Sequence, residues 1–448
     1  MPVNTEHPTS VRAVEPNADP VVIVGLGIEA PGGIVGPGAY WDALEAGRSL
    51  LEPLPRDRGW DLDLVFSLPE RMGWGPVPDS GGFLHDATQF DALFFGVTPR
   101  EALAMDAQQR VAMRVAWAAL QQAGINPSSL VGRKQRAGVF MGASLNFYGP
   151  PLYHPDPVLT GRRSAGVLTA SVAGRISHLL DLRGPCMSLD AACASSLAAL
   201  QQASNALLLG QCDWALAGGV CVTATTAPYV EFSRLQALDP TGYCRPYSAE
   251  AAGTIWSEGA VVTVVERLSR AKKFGHQVLA EVLSIGVNHN GAGAHLSVPS
   301  QDAQEQLYQQ VLTDAGVKPE EITLFEGHGT GTAAGDPREL QAIATVYGQG
   351  REQKLALGSV KSNLGHAQAA AGFLGLTKAI LAGLHSIIPP SLHADPPSTA
   401  IDWETYRIHV PKHSSPWHGR HLAAVSTFGL SGTNAHVIIE IPQQVDHA

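Results

Sequence analysis

Short runs of apolar, often β-branched residues recur along the chain and alternate with longer stretches of mixed polarity. The runs have the length of buried strands and cover residues 21–25, 137–142, 214–219, 261–265, 278–283, 355–358 and 436–440. The longer stretches have the length of helices and cover residues 99–122, 195–209, 301–315 and 372–384. Because strands alternate with helices, the pattern predicts an α/β architecture with largely parallel, buried sheets.

The alternation divides into two series near residues 266–278, where a short polar helix over residues 268–273 follows one strand and precedes the next. We therefore predict two halves, residues 21–266 and 267–448, preceded by a disordered tail over residues 1–20. The tail is polar and contains proline, so it does not read as a signal peptide. No apolar run of membrane-spanning length follows it, so no membrane association is expected.

Composition narrows the class of protein. The 448 residues are 45% hydrophobic and 16% charged, with 47 glycines, which is typical of a compact enzyme with many tight turns. The net charge of −10 without a dense basic run disfavours binding to nucleic acid. The 5 cysteines form no CxxC pair, which disfavours a disulfide framework or a zinc site and fits a reducing, cytoplasmic location.

A glycine-rich segment after the first strand is similar to a dinucleotide-binding fingerprint. It reads Gly25-Leu26-Gly27-Ile28, but Pro31-Gly32-Gly33 interrupts the helix that such a site needs. The segment is better explained as a turn from a strand into a loop. We expect no metal and no organic cofactor.

Cys193 lies between a short strand-like segment and a helix-like segment, among small residues. A thiol at the start of a helix faces unpaired N–H groups and the positive end of the helix dipole, and both favour the reactive thiolate. The small neighbours leave room for an acyl chain. The alternative is a buried structural cysteine, which is the commoner role of a single cysteine.

Two histidines occur in glycine-containing segments, His328 within residues 326–332 and His366 at the end of residues 360–366. Glycine neighbours allow the backbone and a ligand to approach closely. Either histidine alone could be structural. Together with Cys193, they offer a nucleophile and two imidazoles that can exchange hydrogen bonds with a carbonyl oxygen.

In this order, the three segments resemble the β-ketoacyl synthase family, specifically the ketosynthase domains of actinobacterial modular (type I) polyketide synthases. The resemblance extends from about Val21 to Glu440 and includes residues 58–63, 90–96, 99–106 and 426–436. It implies a thiolase fold, with two βαβαβ halves stacked as a five-layer α-β-α-β-α sandwich. It also implies a homodimer that works with an acyl carrier protein bearing a phosphopantetheine-linked acyl substrate.

The resemblance also implies roles for individual residues. Cys193 would be acylated from the carrier-protein thioester. His328 and His366 would bind the thioester carbonyl of an incoming malonyl-type unit, with Lys361 behind His366.

The segment Phe428-Gly429-Leu430 would shape the substrate pocket. The backbone N–H groups of Leu430 and Cys193 would form an oxyanion hole. Phe428 and Asn434 are expected to shape this loop and not to take part in the chemistry.

The chain departs from the family pattern at several places. It ends eight residues after Glu440, so we expect a stand-alone enzyme whose carrier protein is a separate chain. Alanines at 191 and 194 replace hydroxyl residues beside Cys193, Gly327 replaces a larger residue, and residues 106–109 lack a proline. Residues 287–296 differ from the corresponding segment of relatives, whose sequence is close to Asn-Gln-Asp-Gly-Ala-Ser-Asn-Gly.

Three functions remain open from the sequence. The leading one is decarboxylative Claisen condensation between an acyl group on Cys193 and a malonyl-type unit. The second is a cyclase that carries out intramolecular aldol addition and lactonisation, for example to a γ-lactam–β-lactone, and that needs no extender unit. The third is a non-catalytic partner subunit, which the presence of Cys193 with both histidines disfavours.

Overall fold

The computed structural model describes residues 19–150, 159, 161–293 and 295–443. Most of the tail predicted over residues 1–20 therefore lies outside the described residues. Asp19 accepts hydrogen bonds from the backbone and hydroxyl of Ser269, and the Pro20 carbonyl accepts the N–H of Leu268. These contacts attach the first described residues to the helix that follows the first half.

The elements alternate along the chain much as predicted. The strands are β1 (Val21–Ala30), β2 (Ile34–Val35), β3 (Ala137–Gly142), β4 (Cys186–Leu189), β5 (Trp214–Cys221), β6 (Gly259–Arg267), β7 (Ala280–His289), β8 (Leu324–Glu326), β9 (Leu355–Gly358), β10 (Ile387–Ile388), β11 (Ile408–His409), β12 (Ser415–Pro416), β13 (His421–Phe428) and β14 (Thr433–Ile441). The α-helices are α1 (Pro37–Glu45), α2 (Leu62–Met72), α3 (Pro99–Ala104), α4 (Ala107–Gln122), α5 (Arg163–Val167), α6 (Ala170–Leu180), α7 (Ser195–Leu208), α8 (Ala227–Arg234), α9 (Leu268–Phe274), α10 (Gln301–Ala315), α11 (Gly335–Tyr347), α12 (Lys361–Leu364) and α13 (Ala371–His385). Short 3₁₀ turns cover Pro127–Ser129, Pro319–Glu321 and Gln368–Ala370.

The two halves repeat one strand order. The first half runs β4-β3-β5-β6-β1 and the second runs β9-β8-β13-β14-β7. In both halves three neighbouring strands are parallel and the last two pairings are antiparallel. The prediction of largely parallel sheets is therefore wrong. In the second half the reason is local: only residues 429–432 join β13 to β14, and so short a connection can link only antiparallel strands.

The helices and the two half-sheets form five layers. Helices α7 and α13 lie between the half-sheets and fill the central core. Helices α4 and α6 cover the outer face of the first half, and α10 and α11 cover that of the second. A short antiparallel pairing of Val21 to Ile23 with Ala280 to Val282 joins the halves. This is the layer arrangement that the family resemblance implies.

The glycines of β1 serve packing. A Cβ atom on Gly27 would overlap the carbonyl oxygen of Val115 in α4, and one on Gly25 would lie 2.6 Å from the carbonyl oxygen of Ala119. The glycines thus let α4 approach the strand closely. The predicted turn into a loop is wrong, because β1 continues to Ala30 and the next helix begins only at Pro37.

The helix expected over residues 99–122 is interrupted. Met105 is extended, and the side chain of Asp106 accepts the N–H of Gln108 and so caps a new helix, α4. No helix among the described residues is long and apolar enough to cross a membrane.

Candidate active site

Cys193 lies in a tight turn between β4 and α7. Ala192, directly before it, has φ of 50°, a left-handed conformation that costs a residue with a side chain about 1 kcal/mol. The hydroxyl of Ser195 accepts the N–H of Ala191 at 2.8 Å and donates to the Ala192 carbonyl at 2.6 Å. These bonds hold the turn, which presents the thiol in front of the first turn of α7.

The thiol of Cys193 is neutral at rest. Burial raises its pKa to about 11, although the ammonium of Lys361 and a hydrogen bond from the Leu430 N–H both lower it. The N–H at the helix start lowers the pKa, as expected, but loss of hydration outweighs this effect and the nearby positive charge. Attack on a thioester must coincide with loss of the thiol proton.

His366 faces Cys193 with a defined tautomer. Its Nε2 lies 3.1 Å from the sulfur, and its Nδ1 accepts the backbone N–H of Gln368 at 3.2 Å. Because Nδ1 is an acceptor, the proton of the neutral ring is on Nε2. His366 therefore presents an N–H donor to the sulfur and its surroundings.

His328 is held in the same way. Its Nδ1 lies 3.4 Å from the N–H of Phe428, which donates to it, and its ring centroid is 5.3 Å from that of His366 at an angle of 87°. Burial first, and then the charge of Lys361, hold the pKa of both imidazoles well below 6.5. Two neutral imidazoles, each with a donor Nε2, therefore lie next to each other, and that of His366 faces the thiol.

Lys361 supplies the positive charge of the site. It is buried at the start of α12, and burial lowers its pKa, whereas Glu326 and Glu339 act to raise it. Its charge lowers the pKa of Cys193 and of both histidines. The structure thus brings together the four residues that the sequence singled out as a catalytic set.

Glu339 was missed by the sequence analysis. Its two carboxylate oxygens accept the backbone N–H groups of His328 at 2.6 Å and of Gly329 at 2.8 Å, and Tyr247 donates its hydroxyl at 3.2 Å. One turn earlier in α11, Asp336 accepts the N–H of Gly331. The signal in the sequence that could have identified it is the i, i+3 spacing of Asp336 and Glu339 shortly after the glycine-rich residues 327–331.

Gly327 and Tyr247 are complementary. A Cβ atom at 327 would overlap the Tyr247 hydroxyl, which lies where a larger residue at 327 would be. The substitution noted in the sequence therefore accommodates a buried tyrosine.

The segment Phe428-Gly429-Leu430 closes the other side of the thiol. The ring of Phe428 packs against His328 with centroids 5.3 Å apart, and the N–H of Leu430 donates to the Cys193 sulfur. A Cβ atom on Gly429 would overlap the carbonyl oxygen of Ala191. Glycine at 429 therefore permits the close approach that brings Leu430 to the thiol.

Two residues of the segment that differs from the family, His289 and Asn290, contact the loop at residues 429–432. His289 donates from Nε2 to the Ser431 carbonyl at 2.8 Å, while its Nδ1 accepts the N–H of Gly291 at 3.0 Å. The N–H of Asn290 donates to the Gly432 carbonyl at 2.9 Å. His289 and Asn290 therefore help to hold the loop that faces the nucleophile.

Asn434 links the loop to the same segment. Its amide nitrogen donates to the side-chain oxygens of Asn288 at 2.9 Å and Asn290 at 2.8 Å. Asn434 thus connects the strand that follows the loop to Asn288 and Asn290.

A cavity of about 630 Å³ opens at Cys193, His328 and His366. Its apolar lining includes Leu145, Phe147, Phe232, Leu235, Trp256 and Phe428. Its polar lining includes Asn290, Ser297, Gln304, Thr330 and Thr332. The volume suits a chain-like substrate with both apolar and polar groups.

Comparison with known proteins identifies the family. The β-ketoacyl synthase N-terminal domain model matches residues 18–271, the C-terminal domain model matches residues 279–395, and the ketoacyl-synthetase C-terminal extension matches residues 397–447. The boundary between the first two models lies where the sequence pattern divides.

Similar curated proteins are polyketide synthases of actinobacteria. The chain is 43% identical to mycoketide-CoA synthase of Mycobacterium tuberculosis over 98% of its length, but spans 11% of that protein. It is 44% identical to erythronolide synthase EryA2 of Saccharopolyspora erythraea over 94% of its length, and spans 12% of that protein. The chain thus corresponds to a small part of these large synthases.

Solved structures of ketosynthases have the same fold as this chain. The oxazolomycin ketosynthase domain of Streptomyces albus JA3453 is 35% identical, with a TM-score of 0.88 over 96% of this chain and 75% of that one. The ketosynthase from module 6 of the bacillaene synthase of Bacillus subtilis 168 is 33% identical, with a TM-score of 0.85 over 95% of this chain and 72% of that one. The chain therefore belongs to the β-ketoacyl synthase family and has the thiolase fold of polyketide synthase ketosynthases.

Proposed function

We propose that the chain is a polyketide-type ketosynthase that works with an acyl carrier protein. Cys193 takes the acyl group from the carrier thioester and transfers it to a malonyl-type unit by decarboxylative Claisen condensation. The observation that carries this proposal is the arrangement around Cys193. The Nε2–H of His366 lies 3.1 Å from the sulfur, the ring of His328 packs against that of His366, and the N–H of Leu430 donates to the sulfur.

In the acylation step, the Cys193 sulfur attacks the carbonyl carbon of the acyl thioester. The tetrahedral oxyanion is stabilised by the backbone N–H groups of Cys193 and Leu430, which are fixed before the reaction begins. The bond to the phosphopantetheine sulfur breaks, and that sulfur leaves with the thiol proton. The Lys361 charge and the donor from His366 lower the free energy of the thiolate that forms during attack.

In the condensation step, the thioester carbonyl of the malonyl unit accepts the Nε2–H bonds of His328 and His366. Loss of carbon dioxide leaves an enolate whose oxygen is stabilised by these two donors. The enolate carbon attacks the acyl carbon on Cys193 and forms the new C–C bond. The C–S bond to Cys193 breaks, and the leaving thiolate takes up a proton from solvent.

The neutrality of the imidazoles suits this step. The burial and positive charge that hold their pKa well below 6.5 keep each ring an uncharged donor at physiological pH. A neutral donor strengthens as charge develops on the enolate oxygen and does not stabilise the ground-state malonyl carboxylate as an ion pair would.

The second candidate, an intramolecular cyclase, is favoured by the substitutions that lie around the nucleophile. The sequence differs from the family at Ala191 and Ala194 beside Cys193, and at Asn290, which lines the Cys193 cavity. In this reaction the same imidazoles would support enolate formation within one tethered chain, followed by aldol attack and lactonisation, with no extender unit.

We also propose a homodimer. Strand β4 lies at the end of the strand order, with Cys186 exposed and Met187 45% exposed. An edge strand with exposed apolar side chains is suited to pair with a second copy across a twofold axis. Light scattering of the purified chain should give twice the monomer mass, and Met187→Lys should shift it toward the monomer.

A label experiment separates the two reactions. Acyl-loaded and ¹³C-malonyl-loaded carrier proteins are mixed with the 448-residue chain, and carrier-bound and released products are analysed by mass spectrometry. Condensation predicts loss of carbon dioxide and a chain extended by two labelled carbons. Release of an unlabelled product isomeric with the acyl chain, in the absence of malonyl carrier, would establish the cyclase instead.

A further inference from the structure

Gln304, in the first turn of α10, is fully buried, yet neither of its amide atoms Nε2 and Oε1 has a hydrogen-bond partner among the described residues. Burying an amide without partners costs about 1–3 kcal/mol per group. Gln304 also lines the cavity that contains Cys193. The unpartnered amide therefore lies in the wall of the substrate cavity, at its border with the packed core.

The helix start that carries Gln304 is fixed in position. The amide nitrogen of Asn288 donates to the Ala303 carbonyl at 2.7 Å, and Ser300 caps the helix by accepting the N–H of Ala303 at 3.2 Å. Asn288 in turn accepts the amide of Asn434. Gln304 is thus attached through its neighbours to the network that holds the nucleophile loop.

The donor and acceptor pattern of Gln304 selects a ligand chemistry. Its free Nε2 needs an acceptor, and its free Oε1 needs a donor. A carboxylate or a ketone offers acceptors only and would leave Oε1 unpaired, and a hydroxyl must serve both amide atoms through its single oxygen. A secondary amide offers one C=O and one N–H and can satisfy both atoms.

We propose that Gln304 is a binding residue for a secondary amide on the carrier-borne substrate. The inference rests on the proposed function, because it requires a thioester substrate in the Cys193 cavity. The amide belongs either to the phosphopantetheine arm or to the acyl chain itself, as in a hybrid of amino acid and polyketide units. Both present the same pair of hydrogen-bonding groups to Gln304.

Gln304→Met removes the amide and keeps the length of the side chain. The matched control is Ser204→Ala, because the Ser204 hydroxyl is also buried without a partner among the described residues but does not line the cavity. Acylation of Cys193 is followed by intact-protein mass spectrometry over a range of thioester concentrations, and melting temperatures are measured without substrate.

Three thioesters separate the sources of the amide. The S-ethyl thioester of hexanoic acid has no amide, hexanoyl-pantetheine has amides in the arm, and the S-ethyl thioester of N-acetyl-6-aminohexanoic acid has one in the acyl chain. We expect Gln304→Met to raise the half-saturating concentration about tenfold for one of the amide-bearing substrates and to leave the S-ethyl hexanoate value unchanged. The substrate affected identifies the source.

The melting temperature provides an independent readout. Since Met removes an unpartnered buried amide, we expect Gln304→Met to melt at or above the wild-type temperature, as Ser204→Ala should, while only Gln304→Met changes amide selectivity. A lower melting temperature with equal acylation by all three thioesters would overturn the inference and assign Gln304 a structural role. If neither these thioesters nor an acyl-loaded carrier protein acylates wild-type Cys193, the proposed function itself fails.

Discussion

The carboxylate of Glu339 accepts the backbone N–H of His328 at 2.6 Å, so a buried acid on α11 determines where a reactive imidazole lies. The second oxygen accepts the N–H of Gly329 at 2.8 Å. Glu339 thereby fixes the turn after β8 without pairing with the ring of His328. It is a positioning residue.

Glu339→Gln should impair condensation more than acylation. The amide keeps one acceptor oxygen but turns an NH₂ group toward the second backbone N–H, which displaces the His328 turn. We expect carbon dioxide release from malonyl carrier to slow about tenfold or more, with Cys193 acylation within about threefold of wild type. Glu404→Gln, in an exposed ion pair with Lys354, is the control and should behave as wild type. Equal loss in both steps would contradict this assignment.

Glu339 also predicts a pH dependence of stability. Burial raises its pKa from 4.5 to about 7 in the folded protein, so between these values the folded state binds a proton that the unfolded state has lost. This contribution to the free energy of unfolding is therefore present below pH 4.5 and declines as pH rises through about 7. Relative to Glu339→Gln, wild type should lose about 1 kcal/mol per pH unit in chemical denaturation. A relative gain with rising pH would contradict the raised pKa.

The ionisation of Cys193 can be followed by alkylation. Because its pKa is about 11, the rate of iodoacetamide reaction at Cys193 should rise about tenfold per unit from about pH 7 to 10. Lys361→Met should slow the reaction at every pH, since the cation that lowers the thiol pKa is gone. Peptide-level mass spectrometry separates Cys193 from the exposed Cys186. A plateau in the alkylation rate below about pH 8 would show that Cys193 is a thiolate at rest. The control is Lys412→Met, which removes a lysine from an exposed ion pair and should leave the pH profile of alkylation unchanged.

The hydrogen bond from His289 to Ser431 should matter for acylation. His289→Leu loses it, together with the bond from Gly291, and should slow Cys193 acylation about fivefold because the nucleophile loop is less well held. His289→Gln retains an amide donor in reach of the Ser431 carbonyl and should recover most of the rate. If His289→Gln slowed acylation as much as His289→Leu, the hydrogen bond to the Ser431 carbonyl would not be the cause.

Gly429 should tolerate no side chain. Alanine there would force the loop away from the Ala191 carbonyl and move the Leu430 N–H from the sulfur, so acylation should fall about a hundredfold. Gly38→Ala is the matched control, because a Cβ at 38 meets nothing within 4 Å. Unchanged acylation of Gly429→Ala in a folded protein would remove Leu430 from the oxyanion hole.

The sequence predicted the features that depend on local hydrophobic pattern and on recognisable motifs. The strand and helix runs follow from segments that can be recognised along the chain, and so does the family, which the segments around Cys193, His328 and His366 indicated. The pKa of Cys193 could not be predicted, because it depends on burial that residues far apart in sequence create together. Glu339 was missed because an acid on a helix carries no sign that it accepts two backbone N–H groups from another turn.

The glycines of β1 led to one wrong prediction from the sequence, and the reason is physical. In β1 they favoured a turn when only the sequence was considered, whereas Gly27 is a strand residue whose missing side chain is matched by the Val115 carbonyl of α4. Such close approaches become visible only when both elements are in place.

The central claim is that Cys193 is the acylated residue, and intact-protein mass spectrometry tests it most directly. Wild type and Cys193→Ala are incubated with an acyl-loaded carrier protein at about pH 8, where ordinary thiols begin to ionise, and the acylated residue is located by peptide mapping. We predict that wild type gains one acyl mass on the peptide that contains Cys193 and that Cys193→Ala gains none. An equal gain in the variant, or acylation confined to another cysteine, would contradict the account.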